Sequence, residues 1–253
     1  MTKFVRVLII INGLMLPVIL CFLFYQMIKS FLPKEDKYHE EGLIVGEELE
    51  QAKCDTLALQ GIHYDYPEPI YNSPNYYLPI SAMTYKEAKD LRKVMSSAGD
   101  LSMSFLQIFN VVFLDSNYQV IRNLLDKKAF ISDINIPWGD REKVDRSIQN
   151  IAYEIAFEDS NNDGKLNNYD NMDLYISDLD GGNLLQVTKN IDVKSYEFIN
   201  YHKDLLIRYK ERNDEREEHK KVKFAFYNIT TSSFKSLSEL NNHLDELEKQ
   251  LIN

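Results

Sequence analysis

Apolar and polar residues alternate along this chain with three different periods, and each period predicts an element. Residues 7–28 are uncharged and almost wholly apolar, a run long enough to cross a hydrocarbon core of about 30 Å as a helix. Beyond residue 105 the period drops to two, the mark of half-buried strands. Three paired runs stand out: 110–115 with 118–125, 174–178 with 183–188, and 224–228 with 233–237. Each is a short apolar strand ending in Asp or Asn, a polar turn and a second strand. Further strands are predicted over 129–136, 151–158, 194–199 and 205–210. Helical spacing occurs in three places. Thr84 and Glu87 form a capping box ahead of Ala88, Leu91, Val94 and Met95, a short helix fits 47–53, and Leu237, Leu240, Leu244, Leu247 and Leu251 repeat by three and four. The predicted fold is mainly β: an open antiparallel β-meander of hairpins with a few helices and one N-terminal transmembrane helix. Too few strands are present to close a propeller, so edges remain. The Tyr- and Pro-rich stretch 61–79, read as an irregular strap, or the C-terminal helix is expected to cover them, with the leucine seam docked on its own domain.

One polar stretch interrupts this pattern. Residues 159–170 read DSNNDGKLNNYD. Oxygen-bearing side chains fall at Asp159, Asn161 and Asp163, a glycine at Gly164 and a closing carboxylate at Asp170. This is the spacing of an EF-hand calcium loop, whose seventh position, here Lys165, offers a backbone carbonyl. A calcium ion takes six to eight oxygens at about 2.3–2.6 Å, and alternate short acidic side chains can wrap it. Asn167 can add a ligand directly or through water, and the apolar Leu166 is expected beneath the loop as an anchor. Asp170 stands where sensor EF-hands carry glutamate, and its shorter reach implies binding in the range of roughly 10⁻⁵ to 10⁻³ M. The metal ligands expected are thus Asp159, Asn161, Asp163, Lys165 and Asp170, and the cofactor is Ca²⁺. The competing reading is a polar Asn/Asp/Gly turn without a metal.

Over these twelve residues the chain resembles the calcium loop of bacterial dockerin-type and related EF-hand-like proteins, which commonly close on aspartate. Paired helices flank that family's loop, whereas strands are predicted on both sides here. The stretch LYISDLDGGNLLQVT at 174–188 resembles an outer hairpin of the propeller repeats of periplasmic Tol-system proteins. With the apolar run at 7–28 read as an anchor, the two resemblances imply a membrane-anchored bacterial envelope protein.

Charge changes the picture in one respect. The formal net charge is −10, and the first 34 residues contain Lys3, Arg6, Lys29 and Lys34 but no acid, so the acidity belongs to the rest of the chain. Such a surface argues against nucleic acid and anionic lipid as partners. Lys3 and Arg6 before the span favour an inside N-terminus, and the acidic, calcium-looped bulk places the remainder outside. The predicted organisation is a transmembrane anchor over 1–30, a charged stalk over 31–58 and an extracytoplasmic β-rich domain over 59–253. Of two cysteines, Cys21 lies in the span and Cys54 stands alone outside it, so no disulfide forms within the domain.

Catalytic signatures are missing. The sequence holds no phosphate-binding loop, His-Glu-x-x-His motif, nucleophile elbow or metal-spaced cysteine pair. The expectation is a non-enzymatic, monomeric, calcium-stabilised binding or scaffold protein of the cell inner membrane, facing the periplasm, with an envelope protein as possible partner. The alternative is an accessory domain or degenerate relative of an envelope glycan or peptide hydrolase, which a polar cleft bearing two carboxylates would favour.

Overall fold

The computed structural model describes residues 42–54, 60–84, 107–136, 147–212 and 222–252. They belong to one of the chain's two compact units, Gly42–Asn253. The predicted membrane helix over 7–28 and the predicted helix after Thr84 lie outside the described residues. Among the described residues no helix is long and apolar enough to cross a membrane.

In chain order the elements are β1 (Leu43–Ile44), α1 (Gly46–Ala52), β2 (Gln60–His63), β3 (Glu68–Pro69), β4 (Tyr76–Thr84), β5 (Gln107–Leu114), β6 (Val120–Asn123), β7 (Phe130–Asn135), β8 (Asn150–Ala156), β9 (Lys165–Leu166), β10 (Asp173–Asp178), β11 (Leu185–Gln186), β12 (Ile191–Ile199), β13 (Asp204–Glu211), β14 (Lys223–Asn228), β15 (Ser233–Ser236) and α2 (Ser238–Ile252). The fold is mainly β, with antiparallel sheets. The largest sheet runs β11-β10-β8-β7-β5-β4-β2, with β3 added to β4 and β6 to β5; a second runs β12-β13-β14-β15, and β1 pairs with β9. Among the described residues the largest sheet ends at β11 and β2, without closing into a barrel or a propeller. All three predicted hairpins form, as β5–β6, β10–β11 and β14–β15.

Alternation decides the packing. The large sheet curls until Val111 and Phe113 of β5 share a core with Ile151, Tyr153 and Ile155 of β8. The opposite face of the β8–β10 pair presents Ala152, Leu174 and Ile176 to Leu205, Ile207 and Ala225 of the four-stranded sheet. Side chains on successive residues of β8 therefore enter different cores, which explains why five of its seven residues are buried. Arg122 on β6 reaches Asp180 in the β10–β11 turn at 3.2 Å, tying the curled ends together.

Three expectations are corrected. The stretch 61–79 is no irregular strap but supplies β2, β3 and the first part of β4. Pro79 is tolerated inside β4 because it falls in a gap on that side, where β3 pairing ends at Tyr77 and β2 pairing begins at Ser81. The last part of the predicted stalk, residues 42–54, is built into the compact unit, with Leu43 and Ala52 buried. The leucine seam is not docked: Leu240, Leu244, Leu247 and Leu251 are 40%, 37%, 43% and 88% exposed. The helix α2 is held near its start, where Asn241 accepts the Phe224 N–H at 2.8 Å and donates to the Phe224 carbonyl at 3.1 Å.

Gly181 sits in the β10–β11 turn at φ +76°, and a Cβ there would collide with the Phe113 ring. Gly181→Ala thus combines left-handed strain with overpacking. We expect it to lower unfolding stability by about 1–3 kcal/mol, measured by urea titration against the wild-type protein.

Candidate metal centre

The loop 159–170 hangs between two strands that pair with each other, since Ile155 of β8 lies opposite Asp173 of β10. Its backbone needs two left-handed residues, Asn162 at φ 59° and Gly164 at φ 82°. Only glycine suits the second. A Cβ on Gly164 would lie 2.7 Å from Cγ of Glu48 on α1, so the turn is both strained for other residues and closely covered.

The loop's side chains organise its backbone. Asp159 accepts the N–H groups of Asp163 at 3.1 Å and Gly164 at 2.8 Å. Asn161 Oδ1 accepts the same Asp163 N–H at 3.0 Å. Asp163 Oδ1 takes the Lys165 N–H at 2.9 Å, while its Oδ2 takes the side-chain amides of Asn161 at 3.1 Å and Asn167 at 3.5 Å. Asp170 closes the loop: Oδ1 accepts the Ser160 N–H at 2.7 Å and Oγ–H at 3.1 Å, and Oδ2 accepts the Asn167 N–H at 3.0 Å. Asp159, Asn161, Asp163 and Asp170 are thereby gathered into one hydrogen-bonded loop.

Two features hold this loop to the rest of the unit. Leu166 is buried in a core with Leu43, Ala82, Phe130 and Ala156, as its position under the loop predicts. Strand β1 then straps the outside, placing Leu43 opposite Leu166 and Ile44 opposite Lys165, with the Val45 N–H donating to the Gly164 carbonyl at 2.9 Å. The close approach requires Gly42, where a Cβ would come within 2.7 Å of Lys165 Cβ.

The donor set is hard: carboxylate and amide oxygens, without thiol or imidazole, which suits calcium or magnesium in preference to zinc or copper. Each carboxylate has about four lone-pair directions, so none of the three is saturated by its loop donors. Among the described residues no three His, Cys, Asp or Glu side chains form a ready-made metal cage. The Asp oxygens are instead engaged by N–H groups and amides of the loop itself.

Ser160 and Glu48 were not read from the sequence as part of this site, and Asn167, expected as a ligand, acts here as a brace. Ser160 donates twice to Asp170 and also accepts the Asn171 N–H at 2.8 Å. Asn167, fully buried, braces Asp163 and caps the Tyr169 N–H at 2.8 Å. Glu48 covers Gly164 from a helix distant in sequence, and no local signal marks it. Just beyond the loop, Asp173 meets Arg212 at 3.2 Å; burial nevertheless pushes its carboxyl above the usual range, against the pull of that guanidinium.

The sequence matches no protein-family model and no curated protein.

Asp170 is only 6% exposed and satisfies two loop N–H groups. Asp170→Ala strands both donors, and we expect it to destabilise the protein by about 1–3 kcal/mol even in chelator, read from the denaturation midpoint.

Proposed function

We propose that this protein is a membrane-anchored, extracytoplasmic, calcium-stabilised binding or scaffold protein. In this reading residues 1–30 anchor it in the cell inner membrane, and the β-rich domain with its Tol-like hairpins faces the periplasm as a monomer. It engages an envelope protein rather than nucleic acid and has no catalytic role. The observation that carries the reading is the loop 159–170: alternate oxygen ligands, a left-handed glycine at the sixth position and a buried closing aspartate, strapped by β1 and anchored by Leu166. Three carboxylates, Asp159, Asp163 and Asp170, repel one another across such a short loop, and a divalent cation would relieve that repulsion. The ion's role is structural, because its loop joins paired strands.

Binding to the folded state alone raises stability by about 2.7 kcal/mol at a hundredfold excess of calcium over Kd. The test compares thermal melts in calcium and in chelator. Asn161→Ala is the informative variant, since the Asp163 N–H that Asn161 accepts is also held by Asp159. We expect an almost unchanged melt in chelator and a reduced calcium increment. Equal melting temperatures with and without calcium in the wild-type protein would return the loop to being a polar turn.

Topology has its own test in Cys54, an exposed free thiol. With Cys21→Ser in the background, a maleimide that cannot cross the inner membrane is expected to label Cys54 in cells with a permeabilised outer membrane. Labelling only after the inner membrane is opened would reverse the orientation.

A further inference from the structure

A pocket of about 440 Å³ opens between the β3–β4 edge and β7, lined by Glu68, Tyr71, Tyr77, Asp133, Asn135 and Ile136 among others. Its size falls in the range of small-ligand sites, roughly 300–1,000 Å³. Two carboxylates line it, Glu68 from β3 and Asp133 from β7, and each accepts a hydrogen bond from a phenol. Tyr77 donates to Glu68 Oε2 at 2.6 Å, and Tyr196, from β12 in the other sheet, donates to Asp133 Oδ2 at 2.9 Å.

The consequence lies in what these bonds use up. Both of these phenol protons point at carboxylates, which leaves Tyr71 as the lining hydroxyl that can still donate to a ligand. Burial and the neighbouring Glu68 charge hold the Tyr77 hydroxyl protonated by pushing its pKa upward. What remains for an occupant is the second oxygen of each carboxylate, the rings of Tyr71 and Tyr77, and an apolar wall of Pro69, Ile134 and Ile136. Among the described residues no basic side chain lines the pocket, and Asn135 brings an amide to it. An anion would be repelled here. A sugar needs donors as well as acceptors and would find few. An alkyl ammonium or guanidinium needs only acceptors, an aromatic face and an apolar surface for its stem, and all three are present. The net charge of −10 draws the same kind of ligand toward the domain.

We propose that this pocket binds an organic cation, an alkyl ammonium or guanidinium held between Glu68 and Asp133 with its stem against Ile134 and Ile136. The source is either a free polyamine or a lysine or arginine side chain of a protein partner. The site is separate from the loop 159–170, and the inference stands whether or not that loop holds calcium.

Calorimetric titration of the full-length protein in detergent, with calcium present throughout, tests it with four probes: spermidine, N-acetyl-lysine methylamide, N-acetyl-arginine methylamide and the neutral disaccharide cellobiose. We expect saturable binding of at least one cation, weakened by added salt, and none of cellobiose. Spermidine alone binding assigns a free polyamine, whereas binding of the capped amino acids assigns a basic side chain. Glu68→Gln and Asp133→Asn keep an acceptor for each tyrosine and should each weaken cation binding about tenfold or more. If either variant fails to fold, ring-proton shifts of Tyr71 and Tyr77 in the wild-type protein locate the ligand instead. Binding of cellobiose as tightly as the cations, no cation binding up to about 10 mM, affinity unaltered in both variants, or unmoved tyrosine signals would each overturn the proposal.

Discussion

The guanidinium of Arg212 is the interaction on which the relation between the two sheets depends. At the end of β13 it donates to the Met172 carbonyl at 2.7 Å and the Ile191 carbonyl at 2.9 Å, and it meets Asp173 at 3.2 Å and Asp192 at 3.0 Å. It thus fixes the beginnings of β10 and β12 at one point. A half-buried charge is costly unless its donors are satisfied, and here each contact goes to a carbonyl or a carboxylate. The apolar packing alone, Leu174 and Ile176 against Leu205 and Ile207, is non-directional and would leave the sheets free to slide. The planar, multidentate guanidinium supplies the register.

That register reaches the loop. Met172 follows the closing Asp170 by two residues, so pinning its carbonyl fixes the direction in which the loop leaves the site. The entrance is fixed by the pairing of β8 with β10, and the middle by β1. A loop held at entrance, middle and exit has little conformational freedom left to lose, so the calcium proposed for it would meet a nearly preorganised site. The same rigidity explains how a loop with this spacing holds its shape between strands. Where an EF-hand relies on its two helices, this chain uses a sheet, a two-residue strand and the cover of Glu48 over Gly164.

The domain's acidity is likewise arranged and not merely scattered. Glu154 lies opposite Asp133 across β7 and β8, and burial, with the Asp133 charge, raises its carboxyl above the usual range. Tyr196 crosses from the second sheet to this acidic edge. Like charges placed side by side lower stability, and one of this pair, Asp133, also lines the pocket proposed to hold an organic cation.

What the sequence alone determined is what depends on near neighbours. Alternation marked the strands, polar turns marked the three hairpins, and the spacing of Asp159, Asn161, Asp163, Gly164 and Asp170 marked the loop, because these follow from side-chain direction and turn chemistry within a few residues. Leu166 was legible as an anchor for the same reason. Tertiary structure decided whatever depends on distant partners. Pro79 belonged to a stretch read as irregular, yet it sits in β4, opposite Val111 on one side and in the gap between β3 and β2 on the other. Residues 42–54 had the charge of a stalk, yet Leu43 finds Leu166 and becomes core. Regular leucines on α2 promised docking, but Asn241 made the contact and the seam stayed exposed. Periodicity states which face of an element is apolar; which surface meets it is settled only when the whole chain has packed.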